Sequence, residues 1–196
     1  MKITIVAFDF DGTITRKNSL YEFLKHTHGF FQIAIHLLLV FPYLILYKTG
    51  VISNGKAKQK LFSEFYKNWS IEKFNHFCTS FQPVVDAFIR PDVFRTLKKH
   101  LADNHKVIIV SASIENWIIP WAEKEHVETV IATQIEVDQQ GKLTGQFLSK
   151  NCYGKEKVRR LLQMFPERDT YTLIVYGDSK GDLEMMNMAD ENHLFR

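Results

Sequence analysis

Two aspartates, Asp9 and Asp11, stand two residues apart near the start of the chain, and Gly12 follows them. If the backbone turns at Gly12, both carboxylates can face one ligand. Such a pair suits phosphoryl chemistry, because the first carboxylate can attack phosphorus in line while the second protonates the leaving oxygen and then accepts a proton from the attacking water. Most isolated Asp-x-Asp pairs are only loop acids or helix caps, so the interpretation depends on the segments around the pair.

Two further acids, Asp178 and Asp182, occur near the other end of the chain in the glycine-containing segment 177–182. The carboxylates of Asp9 and Asp11 would repel an anionic phosphate, so phosphoryl transfer at this pair requires a cation. Mg²⁺ prefers oxygen ligands in partial cages, and the sequence predicts that Asp9, Asp178 and the backbone carbonyl of Asp11 hold it. Asp182 is predicted just outside that ligand set, orienting a lysine or a metal-bound water; the alternative is that these acids only cap the following helix.

A serine and a lysine complete the candidate chemistry. Ser111 follows the apolar run 107–110 and can offer a hydroxyl and a backbone N–H to a phosphate oxygen, although it or Ser113 could equally cap the next helix. Lys155 and Lys157 lie in the first turn of a predicted helix, where the helix dipole disfavours a cation that serves no other purpose. One of these lysines is therefore expected to neutralise the transferred phosphoryl group.

The elements that must position these residues form a β/α pattern. Apolar and β-branched runs predict strands over 3–8, 106–110, 129–133 and 171–176, a hairpin over 134–147 turning at Gln140 and Gly141, and helices over 91–103, 117–124, 155–164 and 182–189. The predicted fold class is therefore α/β with a parallel sheet. Three strands end at Asp9, Ser111 and Asp178, and ligands bind beyond the carboxyl ends of parallel strands, so these residues are expected to meet in one crevice.

The segment between the first two predicted strands contains apolar residues at helical spacing, which predicts three or four helices. Within it, the 22 residues between Lys25 and Lys48 include no Asp, Glu, Lys or Arg. Length alone makes this stretch a candidate membrane span. A single crossing would separate Asp9 from its partners, so we predict that the apolar stretch 26–47 forms buried helices broken near Pro42, with an interfacial or re-entrant hairpin as the alternative.

With these features together, the sequence closely resembles the haloacid dehalogenase superfamily, and within it subfamily IB, the group similar to phosphoserine phosphatase. Four segments carry the resemblance, in order: Asp9-Phe-Asp-Gly-Thr-Ile-Thr15, Val110-Ser-Ala-Ser113, Cys152-Tyr-Gly-Lys-Glu-Lys157 and Gly177-Asp-Ser-Lys-Gly-Asp182. The resemblance implies a Rossmann-like core domain of residues 1–15 and 89–196, with a helical cap domain of residues 16–88 inserted after the first strand. It also implies Mg²⁺, an aspartyl-phosphate intermediate and no nucleotide cofactor.

The resemblance also implies roles for individual residues. Asp9 would be the nucleophile, Asp11 the general acid and base, and Lys157, rather than Lys155, the lysine of the third segment. Phosphate binding is carried over to five residues: Gly12, Thr13, Ser111, Ala112 and Lys157. The metal ligands would be Asp9, Asp11 and Asp178, with Asp182 behind them.

The predicted reaction is the hydrolysis of a phosphate monoester by a Mg²⁺-dependent phosphatase. A phosphotransferase or mutase would use the same acids but pass the phosphoryl group to an organic hydroxyl. A non-catalytic protein that binds a phospholigand or a membrane surface would keep only the fold. The substrate is a small-molecule or lipid-like monoester, and phosphoserine is disfavoured because amino-acid phosphatases of this group carry an acid where this sequence has Asn18.

Aromatic residues are unusually frequent in the predicted cap. The set comprises Phe23, Phe30, Phe31, Phe41 and Tyr43. Such stripes are usually core, and we predict core here; a pocket for a lipid-like substrate or a membrane-surface contact is the alternative.

Composition narrows the remaining classes of protein. The 196 residues are 45% hydrophobic and 24% charged, which fits one globular domain or one domain with an insertion. Net charge is +3, and the short basic runs at 56–60 and 155–160 are interpreted as solvated helix faces, so no nucleic-acid partner is predicted. Cys78 and Cys152 are too few for a disulfide framework, so a cytoplasmic location is expected. The oligomeric state is left open.

Overall fold

A five-stranded parallel sheet forms the centre of the protein in a computed structural model that describes residues 2–195. Its strands are β1 (Ile3–Phe8), β2 (Lys106–Ile114), β3 (Thr129–Thr133), β6 (Tyr171–Gly177) and β7 (Glu191–Leu194), arranged in the order β3-β2-β1-β6-β7. A separate antiparallel hairpin consists of β4 (Ile135–Val137) and β5 (Leu143–Phe147). The predicted α/β class with a Rossmann-like parallel sheet is confirmed, and the strand before the aspartate pair is the central one.

Helices cover both faces of the sheet. They are α6 (Pro91–Ala102), α7 (Glu115–Lys124), α8 (Lys155–Met164) and α9 (Leu183–Met188). Along β1, Val6 and Phe8 pack in the cluster that contains α6 and α7, whereas Ile5 and Ala7 pack in the cluster that contains α8 and α9. Burial on both faces explains why β1 is a continuous apolar run rather than an alternating one.

The predicted core elements agree closely with the observed ones, with two differences. Strand β2 continues to Ile114 rather than ending at the predicted residue 110. The edge strand β7 was not predicted, because its residues are polar and mostly exposed and so give no apolar run.

Five helices lie between β1 and α6 in the chain: α1 (Ser19–Thr27), α2 (Phe30–Lys48), α3 (Asn54–Tyr66), α4 (Ile71–Ser80) and α5 (Gln82–Asp86). Side chains of α1, α3 and α4 form an aromatic core around the fully buried Phe23, Tyr66 and Phe74. The hairpin adds to this unit, because the Leu143 N–H donates to the Trp69 carbonyl (N···O 2.9 Å). The division into a core domain and a cap domain of residues 16–88 stays a prediction. That division places the β4–β5 hairpin in the core domain, although the hairpin contacts the helices of the predicted cap.

Helix α2 corrects the prediction for the apolar stretch. The stretch is one helix that continues through Pro42, and Val40 is its one buried residue. The core assignment holds for Phe23 but is wrong for the other four aromatic residues: Phe30 is 80% exposed, Phe31 82%, Phe41 56% and Tyr43 41%. The physical reason is that α2 is apolar on all sides, whereas the neighbouring helices cover only one of its flanks.

Candidate active site

Asp9 lies directly after β1. Its backbone N–H donates to the carbonyl of Tyr176 on β6 (N···O 2.9 Å), which extends the strand pairing to the aspartate itself. The Asp9 side chain is buried, and this burial raises its pKa to about 7, although the Lys157 ammonium opposes the shift. A further cation beside Asp9 would lower this pKa and favour the ionised carboxylate, which is the form that can act as a nucleophile.

Lys157 joins Asp9 to Asp182. Its ammonium donates to Oδ1 of both carboxylates, at 2.6 Å in each case, and its side chain is 2% exposed. Burial opposes the charged form, but the two carboxylates outweigh burial and raise the pKa of Lys157 above its ordinary value. Lys155 is exposed at the start of the same helix. Of the two candidate lysines, Lys157 is the one that contacts Asp9.

Asp11 is held from two sides. Its Oδ1 accepts from the backbone N–H of Ser19, the first residue of α1 (2.7 Å), and its Oδ2 accepts from the Ser113 hydroxyl. The Ser19 hydroxyl donates to the Ser113 hydroxyl (3.1 Å) and accepts from the indole N–H of Trp117 (3.1 Å). Ser113 is therefore not a helix cap, as one alternative had it. The cap position of α7 is Ile114, which makes no side-chain capping bond.

Three carboxylates, from Asp9, Asp178 and Asp182, have oxygens within 4.8 Å of one another. Both oxygens of Asp182 are already used: Oδ1 accepts from Lys157, and Oδ2 accepts from the hydroxyl (2.9 Å) and the N–H (3.1 Å) of Ser179. Asp178 Oδ1, by contrast, is buried and has no hydrogen-bond partner among residues 2–195. A buried, unpaired carboxylate oxygen beside a second carboxylate fits a divalent cation such as Mg²⁺.

Gly12 forms the turn that brings the first acid pair against Asp178. Its φ is +90°, and a Cβ at this position would lie 2.1 Å from Asp178 Oδ2. Only glycine avoids both the strained backbone and the collision. Burial, together with the Asp182 carboxylate, raises the pKa of Asp178 to about 6. Like Asp9, this acid therefore holds its proton more tightly than usual.

The acids open into a crevice of about 260 Å³. Its wall contains Asp9, Asp11, Ser111, Ala112, Lys157, Asp178 and Asp182 from the predicted site. The ends of β1, β2 and β6 thus meet in one place, as the strand pattern predicts. Gly12 and Thr13 do not line this crevice. Thr13 is fully buried, and its hydroxyl has no hydrogen-bond partner within residues 2–195.

Lys58 is the main site residue that the sequence analysis missed. It belongs to α3, lines the crevice, and donates from Nζ to the carbonyl of Ala112 (2.9 Å). Burial lowers its pKa, although the carboxylates of Asp11 and Asp9 oppose the shift. The solvated-face interpretation of the run 56–60 is therefore wrong for Lys58. The sequence did contain a signal for this difference. On a helix, residues four apart, such as Lys56 and Lys60, share one side, whereas Lys58, two residues from each, lies on the opposite side.

Five further residues of the crevice wall also lie outside the predicted site: Asn18, Asn54, Tyr153, Ser179 and Gly181. The Asn18 side chain caps α1 by accepting from the Leu20 N–H (3.1 Å). Tyr153 packs so closely on Gly181 that a Cβ there would lie 2.4 Å from the ring.

A smaller pocket of about 130 Å³ adjoins the crevice and shares part of its wall. The shared residues are Asn18, Asn54 and Lys58. The rest of the pocket is lined mainly by apolar and aromatic side chains of α1, α2 and α3: Leu20, Tyr21, Leu44, Tyr47, Ala57 and Leu61. A ligand could thus place a phosphate among the acids and an apolar portion towards α2.

Comparison with known proteins shows which family this chain belongs to. The family model for haloacid dehalogenase-like hydrolase matches residues 6–187. Protein CicA of Caulobacter vibrioides is 32% identical over 188 residues, which cover 95% of this chain and 83% of that protein.

Solved structures with low sequence identity share the fold. A protein of unknown function from Bordetella pertussis Tohama I superposes with a TM-score of 0.84 at 19% identity, over 98% of this chain and 89% of that one. A phospho-aspartyl intermediate analogue of phosphoserine phosphatase superposes with a TM-score of 0.64 at 20% identity, over 100% and 87%. From the family match and the CicA relative, this chain belongs to the haloacid dehalogenase-like hydrolases.

Proposed function

We propose that the protein is a Mg²⁺-dependent phosphatase that hydrolyses a phosphate monoester through an aspartyl-phosphate on Asp9. Membership of the hydrolase family, together with the phosphoserine phosphatase fold, supports phosphatase activity in general. The observation that carries the proposal is the buried group in which Lys157 holds Asp9, while Asp178 Oδ1 lies nearby with no hydrogen-bond partner in the described residues 2–195.

In the first step, a carboxylate oxygen of Asp9 attacks phosphorus, and the bond from phosphorus to the ester oxygen breaks. Asp11 donates a proton to that leaving oxygen, which departs as an alcohol. In the second step, a water oxygen attacks the same phosphorus while Asp11 takes a proton from the water. The phosphorus–oxygen bond to Asp9 then breaks, which releases inorganic phosphate and restores both carboxyl groups.

The other site residues would bind charge rather than exchange protons. Lys157 would neutralise the phosphoryl oxygens, with Asp182 fixing its position, and Ser111 and Ala112 would contact the phosphate from the end of β2. The same role for Gly12 and Thr13 stays a proposal carried by the family resemblance. Asp9, Asp178 and the carbonyl of Asp11 would hold Mg²⁺, which supplies a positive charge against the anionic phosphate.

The substrate class follows from the walls of the crevice. Asn18 in place of an acid, and the apolar pocket that adjoins the crevice, support a monoester whose leaving group has an apolar portion rather than an ammonium group. A cytoplasmic location remains part of the proposal. Transfer to an organic hydroxyl, and ligand binding without turnover, are the other functions that this site could serve.

The decisive experiment measures phosphate release from a panel of monoesters, ranging from small polar to lipid-like, in Mg²⁺ or in EDTA. We expect Mg²⁺-dependent release, a preference for apolar leaving groups, and a loss of at least about 1,000-fold in kcat for Asp9→Asn. Asp169→Asn is the matched control, because Asp169 is exposed and precedes β6 at the opposite end of that strand.

Three outcomes would contradict the proposal. Substantial turnover by Asp9→Asn would remove the nucleophile assignment. Phosphorylated acceptor products without free phosphate would indicate a transferase, and ligand binding with no turnover of any panel member would indicate a binding protein.

A further inference from the structure

Helix α2 exposes an apolar face that nothing in the described part of the chain covers. We call this face the α2 surface; it consists of Phe30, Phe31, Ile35, Leu38, Leu39, Phe41, Tyr43, Ile45, Leu46 and Tyr47, each of which is at least 37% exposed. Phe31 is 82% and Leu38 74% exposed. Proteins that remain free in water rarely expose large contiguous apolar patches, so this surface is expected to have an occupant.

The length and composition of α2 alone would permit it to span a membrane. Within residues 2–195, α2 is the single helix with the length and composition to cross a bilayer, with 19 residues and a mean hydropathy of 2.0. Two observations favour an orientation along a membrane instead. Val40 is buried against the protein, so one flank of α2 is packed. Asn18 before the helix and Lys58 after it line the same crevice, so both ends remain on one side.

The charges around α2 indicate what kind of surface it meets. Residues 16–67 contain eight Lys and Arg but two Asp and Glu, a net charge of +6, whereas the whole chain carries +3. Of these cations, Lys58 points into the crevice, and the others remain outside it. Lys25 precedes the helix and Lys48 ends it, and the Lys60 ammonium lies 5.2 Å from the ring centroid of Tyr43. An apolar face with a basic surround is complementary to an anionic lipid surface, which offers both acyl chains and phosphate groups.

The same charges disfavour a second copy of the chain as the occupant. A twofold dimer would place α2 against α2, either parallel or antiparallel. In both arrangements the exposed cations that flank α2, Lys25 on α1 and Lys48 at the end of α2, would face cations of the other copy. Like charges across an interface destabilise it, whereas anionic headgroups neutralise them.

We propose that the α2 surface docks the protein on an anionic lipid bilayer, with the helix lying in the interface. The position of the crevice fits this arrangement. The amide of Asn54, which lines the crevice, donates to the hydroxyl of Tyr47 on α2 (3.2 Å). Docking therefore brings the mouth of the crevice beside the headgroups. This inference concerns binding alone and holds whether or not the crevice hydrolyses phosphate.

Co-sedimentation with vesicles tests the proposal without any activity measurement. Wild type is mixed with vesicles of phosphatidylcholine alone or of phosphatidylcholine with phosphatidylglycerol, at low and high salt. The variant Phe31→Glu/Leu38→Glu places two charges on the exposed α2 surface, and Leu148→Glu is the matched control, since Leu148 is 67% exposed outside α2. Thermal unfolding of each variant verifies that it folds.

We expect wild type and Leu148→Glu to bind the anionic vesicles equally and the double variant to bind at least tenfold more weakly. Lys25→Gln and Lys48→Gln should each weaken binding about fivefold at low salt, and high salt should reduce that difference. These lysines are exposed, so their variants keep the test valid even if the double variant does not fold.

Three results would overturn the inference. The first is wild type that does not bind the anionic vesicles at low salt. The second is binding to phosphatidylcholine alone that is just as strong, which would remove the anionic lipid from the proposal. The third is a dimer in sedimentation velocity that is lost in the double variant, which would assign the α2 surface to a second copy.

Discussion

At the residue scale, the orientation of Asp11 depends on two serines that are remote from each other in sequence. The Ser113 hydroxyl and the Ser19 N–H each donate to one oxygen of this carboxylate, and Trp117 supports Ser19 from behind. In the proposed mechanism Asp11 gives a proton to the leaving ester oxygen and later takes one from the attacking water. It must therefore stay within hydrogen-bond distance of both oxygens in turn, so its orientation should affect the rate directly.

Replacing Ser113 should therefore slow turnover more than it weakens substrate binding. For Ser113→Ala we expect kcat to fall by roughly 10- to 100-fold while KM changes little, because Asp11 loses one of its two holding contacts. Steady-state kinetics on the preferred monoester measures this. Ser80→Ala is the control, since Ser80 is exposed and its hydroxyl contacts Phe77 on α4 and His26 on α1, away from the crevice. An unchanged kcat would show that the Ser19 contact alone positions Asp11.

At the scale of elements, α3 contributes Asn54 and Lys58 to the wall of the crevice. On this helix Lys56 is exposed and Lys60 is partly exposed beside Glu64, whereas Lys58 points into the crevice and reaches the carbonyl of Ala112 on β2. One helix therefore connects the helices between β1 and α6 to the carboxyl end of β2, where the proposed active site lies. Its partly exposed side also contacts α2 through Glu64, whose carboxylate lies 3.4 Å from His36 Nδ1.

The inward orientation of Lys58 gives a matched pair of lysines on one helix. We expect Lys58→Gln to raise KM for the phosphate monoester by about tenfold, because a cation next to the acids is lost where the anionic substrate enters. Lys56→Gln, which removes an exposed charge, should leave KM unchanged. Equal effects of the two substitutions would mean that Lys58 acts only through the overall charge of the protein.

At the scale of the whole molecule, the fold gathers acids from distant parts of the chain into a buried site. Asp9 and Asp178 have pKa values raised by burial to about 7 and about 6. Without a cation, ionising them costs stability as the pH rises from the usual aspartate range through these values. Since Mg²⁺ competes with the protons, it should bind more tightly once the pH exceeds them.

Magnesium should therefore stabilise the protein in a pH-dependent way. We expect the increase in unfolding temperature on adding Mg²⁺ to be clearly larger at about pH 8 than at about pH 5.5, and to be absent in Asp178→Asn. Differential scanning fluorimetry with Mg²⁺ or EDTA measures it. A shift of equal size at both pH values, or one that persists in Asp178→Asn, would place the bound ion elsewhere.

Local sequence alone determined much of this protein. The apolar run before Asp9 predicts β1, and the strand ends predict which polar residues meet, because strand propensity is a property of short segments. The four family segments select Asp9, Asp11, Lys157 and Asp178 as the proposed catalytic and metal-binding residues. Only the tertiary structure decided the rest. Whether a residue is covered depends on which elements pack beside it. The exposure of α2, the inward direction of Lys58 and the hydrogen bonds from Ser19 and Ser113 to Asp11 therefore could not be predicted from any one segment.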